Sequence, residues 1–179
     1  GPLVTGAPGV TVVEVRPDDE RVTPVIAVHV ASMDSDTDTP PEACHRLDLA
    51  GLLDPSITFF AAFDRDNGDG SSDAIGIGAF AHRAPDWGEV KSMHVLAAHR
   101  GRGISRLILD AIEATARGKG VSTLRLETSR AFTSAIALYE RSGYRPCPAF
   151  GDYVDHPISL FMEKAVAEAA PSDSIPSGS

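Results

Sequence analysis

Apolar residues follow two rhythms along this chain, and the order in which they alternate predicts its elements. Val10 to Val15 is short, β-branched and bounded by Gly9 and Pro17, which predicts a first strand. Thr23-Pro24 offers an N-cap followed by proline at the first helical position, opening a Val- and Ile-rich helix to about Met33. Asp34 to Asp38 is a loop by composition, and Thr39-Pro40-Pro41-Glu42 forms a capping box for a second helix toward Leu53. Ile57 to Phe63 and Ala74 to Ala81 predict two antiparallel strands joined by a polar loop. That loop has Asp64 and Asp66 at calcium-ligand spacing. Gly68 and Asp69 then break the EF-hand pattern, so a solvated hairpin tip is expected.

The second half alternates more regularly. Gly88 to Leu96 predicts a strand, and Ile104, Leu107, Ile108, Ala111 and Ile112 mark one face of a helix that Gly118 is positioned to stop. Val121 to Thr128 predicts a strand, and Phe132, Ala135, Ile136 and Tyr139 stripe a further helix ended by Gly143. Ile158 to Lys164 makes a last strand. The whole predicts an α/β (α+β) fold with a mixed, mostly antiparallel sheet of about six to seven strands, flanked by about four helices.

At 179 residues, 42% apolar and 23% charged, the chain suits one domain with a real core. We expect that domain over residues 10–166, after a disordered or tag-derived stretch 1–9 and before a disordered, Ser- and Pro-rich tail 167–179. Gly1-Pro2 fits a tag-cleavage scar. A net charge of -9 argues against a nucleic-acid partner and suits a cationic small molecule or peptide better. With no apolar run of about 18 residues and no signal-peptide pattern, the expectation is a cytoplasmic protein without membrane contact. Cys44 and Cys147 lie far apart and outside any CxxC pair, and Cys44-His45 adjacency builds no site, so neither a disulfide nor a metal is expected.

The most specific local signal is Arg100-Gly101-Arg102-Gly103-Ile104-Ser105, between a strand and an amphipathic helix. A helix's first turn has N–H groups without intrahelical partners, and two glycines let a diphosphate approach the backbone. The helix dipole adds about half a positive charge, and Arg100 and Arg102 add whole ones. The plainer reading is a tight strand-to-helix turn. Two other phosphate motifs are excluded: the dinucleotide fingerprint needs glycine where Arg106 stands, and the Walker motif needs Ser or Thr where Gly120 follows Lys119.

These residues resemble the GCN-five-related N-acetyltransferase (GNAT) superfamily, whose acyl-CoA motif is (Gln/Arg)-x-x-Gly-x-(Gly/Ala). Arg100, Gly103 and Ser105 occupy its three defining places, with Ser105 in place of the usual Gly or Ala. The likeness extends over Gly88 to Val95, Leu126-Glu127-Thr128, Ala135 to Tyr144 and Phe161 to Lys164. It implies that acetyl-CoA serves as co-substrate, held by Met93, His94 and Val95 and by the run from Arg100 through Gly101, Arg102, Gly103, Ile104 and Ser105 to Arg106. It also implies acetyl transfer to a primary amine by direct attack. The alternative is a module on the same fold that binds acyl-CoA or a partner without catalysis.

An alkyl ammonium lies about three pH units from neutrality at pH 7, so a base or water relay is useful. The resemblance makes Tyr139 the acid that protonates the departing thiolate, whereas its place on an apolar stripe also suits a core residue. Two glutamates compete for the base. Glu89 lies 11 residues before Arg100, as in histone-type members, and Glu127 lies 12 before Tyr139, as in ribosomal-protein N-terminal members. Salt bridges, for instance with Lys91 or Arg125, are the alternative. His94, a further proton carrier, differs in strand parity from Glu89, Lys91 and Met93 and so faces away unless a bulge intervenes. Phe132 stands where many members use asparagine near coenzyme A. The acceptor stays open, from polyamines and aminoglycosides to amino acids and protein N-termini, for a monomer or homodimer. Asp34, Asp36, Asp38 and Glu42 read first as a solvated acidic loop, though the resemblance implies that their connection borders the acceptor pocket, which Phe150, Tyr153, Asp155 and His156 would line from the other side.

Overall fold

The computed structural model describes residues 5–7, 9–33, 49–65 and 72–167. Its elements in chain order are β1 (Thr5–Ala7), β2 (Val10–Glu14), α1 (Thr23–Met33), β3 (Ile57–Asp64), β4 (Gly76–Ala84), β5 (Trp87–Val95), α2 (Ile104–Gly118), β6 (Thr123–Ser129), α3 (Thr133–Arg141), β7 (Arg145–Pro146) and β8 (Ser159–Ala165). Residues 49–52 are helical, and most of the segment expected to form the second helix lies outside the described residues. So do the hairpin tip at 66–71, Cys44, and the tail from 168 onward.

The described strands form one eight-stranded sheet in the order β1-β2-β3-β4-β5-β6-β8-β7. All neighbours are antiparallel except β5 and β6. The sheet is the mixed, mostly antiparallel one expected, extended at its edges by the short β1 and β7. Thr5–Ala7, which composition assigned to a disordered leader, pairs with Val10–Val12. Backbone ladder bonds do not depend on side-chain type, so composition gives no sign of them.

Two cores sandwich the sheet. On one face Ile104, Ile108, Leu109 and Ile112 of α2 pack with Val12, Phe60, Phe80, Val90 and Leu126. Each such side chain contributes roughly 1.5–3 kcal/mol on burial. On the other face Val22, Val25, Ile26 and Val30 of and before α1 pack on Phe59, Ala61, Ile77 and Ala79. β4 brings α2 unusually close, because a Cβ on Gly76 would lie 3.1 Å from Ile104 Cγ2 and one on Gly78 would collide with Ile108 and Met93. This close approach fixes where the first turn of α2 sits. The helix runs through Gly118, and the left-handed residue that ends it is Gly120, at φ +77°. On α3 the expected stripe is only partly buried: Tyr139 is in the core, whereas Phe132 is the helix N-cap and 47% exposed. No helix among the described residues is long and apolar enough to cross a membrane.

Candidate active site

Gly101 and Gly103 sit at φ +85° and +76°, a region that strains any residue with a Cβ. A Cβ at either position would meet nothing within 4 Å, so the space above this turn is open. Gly103 is the N-cap of α2 and no side chain caps the helix. The first bond back to the cap runs from Leu107 N–H to the Gly103 carbonyl at 3.2 Å. The N–H groups of Ile104, Ser105 and Arg106 are thus left at the positive end of a helix dipole, facing open space. These are the features a diphosphate needs, and the residues fit the coenzyme expected there.

The arginines of the loop are less free than their charges suggest. Arg100 Nε donates to the Val95 carbonyl at 3.2 Å. Arg102 donates to Asp64 at 3.3 Å and to His99 Nδ1 at 3.0 Å. Arg106 spans Asp110 at 3.1 Å and the Ser142 hydroxyl at 3.0 Å. Binding at the loop therefore rests first on backbone N–H groups.

Beside the loop the sheet parts. β5 and β6 pair in parallel only from Trp87 to Glu89 against Thr123 to Arg125, and among the described strands β4 is the sole partner of β5 from Val90 to Val95. A wedge lined by one unpaired strand edge opens between them, its backbone groups able to pair with amides of a bound chain. Within this stretch Ser92 adopts φ +57°, and the register steps from Ala79 opposite Lys91 to Ile77 opposite His94. This bulge reverses the expected parity. His94 joins Glu89 and Lys91 on the α1 face, and Met93 turns to the opposite face, beside Gly78, Ile108 and Ile112.

Glu89 is buried, with 3% of its surface exposed, and both its oxygens are engaged. Arg83 meets Oε1 at 2.9 Å, and the Tyr153 hydroxyl donates to Oε2 at 2.5 Å. Its partner is Arg83, not Lys91. Arg125 likewise pairs with Glu163 at 3.2 Å, not with Glu127. Glu127, exposed on β6, is raised above the ordinary carboxylate range by partial desolvation and by the nearby Glu89, against a Ser159 hydrogen bond and Lys91. The two glutamates, at neighbouring positions of the wedge, thus share one electrostatic site. Burial and the bond to Glu89 raise the Tyr153 phenol, keeping it protonated at neutral pH. Its ring packs on Phe150 and Phe161, with centroids 5.3 and 5.9 Å away, and Trp87 packs in turn on Phe150, at 5.6 Å.

Tyr139 lies in the α2-side core, its ring 5.8 Å from that of Tyr144, and burial raises its phenol strongly. It therefore stays a proton donor at any neutral pH. Among the described residues no hydrogen bond joins it to either glutamate. Its helix is instead tied to the glycine turn, since Arg106 of the first turn of α2 donates to Ser142, which in turn donates to the Leu138 carbonyl.

Arg83 and His29 are the residues that sequence reasoning missed. Nothing local marks Arg83, because its meaning comes from the hairpin that lays it beside Glu89. His29 sits on α1 with its Nδ1 3.2 Å from that of His94, and burial together with His94 lowers it to about 4. Of the four residues expected at the last loop, Tyr153 and Phe150 reach the site, while Asp155 and His156 are exposed.

Comparison with known proteins agrees with this geometry. Residues 25–144 match the model of the acetyltransferase (GNAT) family. The chain is 41% identical to the IAA acetyltransferase of Azospirillum brasilense over 126 residues, covering 70% of this chain and 78% of the relative. It is 36% identical to the uncharacterized N-acetyltransferase YsnE of Bacillus subtilis, covering 70% and 81%. A solved chain from Klebsiella pneumoniae, to which acyl-CoA N-acyltransferase activity has been ascribed, superposes with a TM-score of 0.68 at 30% identity, covering 88% and 97%. An aminoglycoside 6'-N-acetyltransferase solved with coenzyme A shares the fold alone, at 13% identity and a TM-score of 0.66. With a turn shaped for a diphosphate, a parted sheet beside it and these relatives, the chain belongs to the GNAT family and is an acetyltransferase.

Proposed function

We propose that the protein transfers an acetyl group from acetyl-CoA to a primary amine of a small molecule or peptide, by direct attack of the neutral amine on the thioester. The observation that carries this reading is the wedge between β5 and β6 beside an uncapped helix N-terminus at Gly103. Ile104, Ser105 and Arg106 would hold the diphosphate through their N–H groups, and the free edge from Val90 to Val95 would hold the amide-bearing arm. The coenzyme supplies the activated acetyl thioester; the chain supplies orientation and proton handling.

Glu127 suits the base. Its raised carboxylate is better matched to an ammonium than an ordinary glutamate is, and among the described residues no ion pair occupies it. Glu89, held on both oxygens, is a positioning residue that raises Glu127 and anchors Tyr153. As the amine nitrogen bonds to the carbonyl carbon, its proton passes to Glu127, the carbon–sulfur bond breaks, and the sulfur takes a proton from Tyr139. Solvent then restores both groups. The test is a panel of amines assayed for free coenzyme A thiol, with mass spectrometry of the amine. Acetylated amine equal to thiol released is expected. Thiol release without an acetylated amine would mean thioester hydrolysis and would overturn the reading.

A further inference from the structure

The α1 face carries a cavity of about 390 Å³ between helical residues 49–52, the turn from Asp54 to Ile57, and the strands holding Arg83 and Lys91. Its charges are unlike those of the molecule as a whole. The chain has a net charge of -9, yet among the described residues two cations line this cavity against one carboxylate. Arg83 is matched, by Glu89 at 2.9 Å and by the field of Asp54. Asp54 is turned onto Ser56, accepting from its N–H at 2.9 Å and its hydroxyl at 2.7 Å through Oδ1. Lys91 is left over. It makes no ion pair among the described residues, and it acts on Glu127 only through its field.

We propose that Lys91 binds a carboxylate of the acceptor, which is therefore a small amino acid-like amine and not a polycation. This rests on the reading that the amine is deprotonated at Glu127. Lys91 lines the cavity and stands two residues beyond Glu89 on the same face of β5, roughly 6.6 Å along the strand. Neither glutamate lines the cavity itself, but Lys91 acts on Glu127 through its field, so an acceptor reaching from the cavity to Glu127 would meet a cation at one end and a carboxylate at the other. A carboxylate one or two carbons from the amine would complement both. A polyamine or aminoglycoside would set further positive charge against Lys91, at a partly desolvated position where like charges repel strongly. The described lining of the cavity thus carries a bias opposite to the net charge that suggested a cationic acceptor. Hydrogen bonds between an ammonium and a carboxylate are about twice as strong as neutral ones, so the preference should be large enough to measure.

The experiment pairs L-amino acids with their carboxamides and decarboxylated amines, with coenzyme A release and acetylated product as readouts. For the best pair, kcat/KM for the acid should exceed that for the amide by about tenfold or more. Lys91→Met should collapse that ratio, and Lys91→Arg should preserve most of it. An amide or decarboxylated amine that matches its acid, or a ratio unmoved by Lys91→Met, overturns the proposal while leaving acetyl transfer intact. If no amine of any class is acetylated, the acetyl-transfer reading fails instead. The cavity is then tested by thermal shift with coenzyme A present: the acid should stabilise the native protein more than the amide does, and Lys91→Met should remove the difference. No carboxylate-dependent shift would overturn the proposal on that arm too.

Discussion

The Nδ1 atoms of His29 on α1 and His94 on β5 lie 3.2 Å apart, with the rings edge to face at 70°. One nitrogen must donate and the other accept, so the accepting ring must be neutral and protonation of both rings breaks the bond. The bulge at Ser92 creates this relationship by turning His94 toward α1.

A pH dependence of stability follows. Burial and His94 hold folded His29 at about 4, against an ordinary 6.5. His94 is also lowered, by burial and by the charge of Arg100. Between those values the unfolded chain binds more protons than the folded one, so stability is full above about 6.5 and falls as the pH is lowered toward 4. For His29 the gap corresponds to roughly 3 kcal/mol. Denaturant midpoints measured from about pH 7 to about pH 4.5 should fall steeply for the native chain and less steeply for His29→Gln. Equal slopes would show that the pair does not govern acid sensitivity.

Gly103→Val tests the cradle. The substitution meets no neighbour within the protein, but it places a β-branched residue at φ +76° and a side chain in the open space above the turn. Acetyl-CoA at a hundredfold excess over its dissociation constant should stabilise the native protein by about 2.7 kcal/mol, seen as a rise in Tm. The folded variant should lose that shift. A variant that is folded and still shifted would show that the diphosphate is bound elsewhere.

The two glutamates should separate by pH profile. Glu127 titrates above an ordinary carboxylate, so turnover should fall as the pH drops through that raised value. Glu127→Gln should lose rate near neutrality and recover as rising pH supplies neutral amine. Glu89→Gln removes the charge that helps raise Glu127 and loosens Tyr153, so it should shift the acidic limb downward while keeping more of the rate. Reversed behaviour would make Glu89 the base.

Much of the scaffold was legible because α2 announces itself. The stripe from Ile104 to Ile112 is buried as its spacing implies, save for half-buried Leu107, and Arg100 to Ser105 sits at its start. The site's second half was not legible, for three reasons. A bulge defeats strand parity, and no residue type around Ser92 requires one; this misplaced Met93 and His94 relative to Glu89. Ion-pair partners depend on which hairpin strand lies alongside, so Arg83 was invisible while Lys91 and Arg125 were named as alternatives. Tyr153 could be suspected only as one polar residue of a loop, because its bond to Glu89 spans 64 positions of sequence.

Tyr139→Phe tests the account most directly. It removes one oxygen and keeps the ring that packs on Tyr144, so folding and the acetyl-CoA Tm shift should survive. With chemistry limiting, turnover should fall by about 10²-fold or more, the low end for loss of a general acid. Full turnover in a variant that binds acetyl-CoA normally would contradict the assignment of Tyr139 as the proton donor to the departing thiolate.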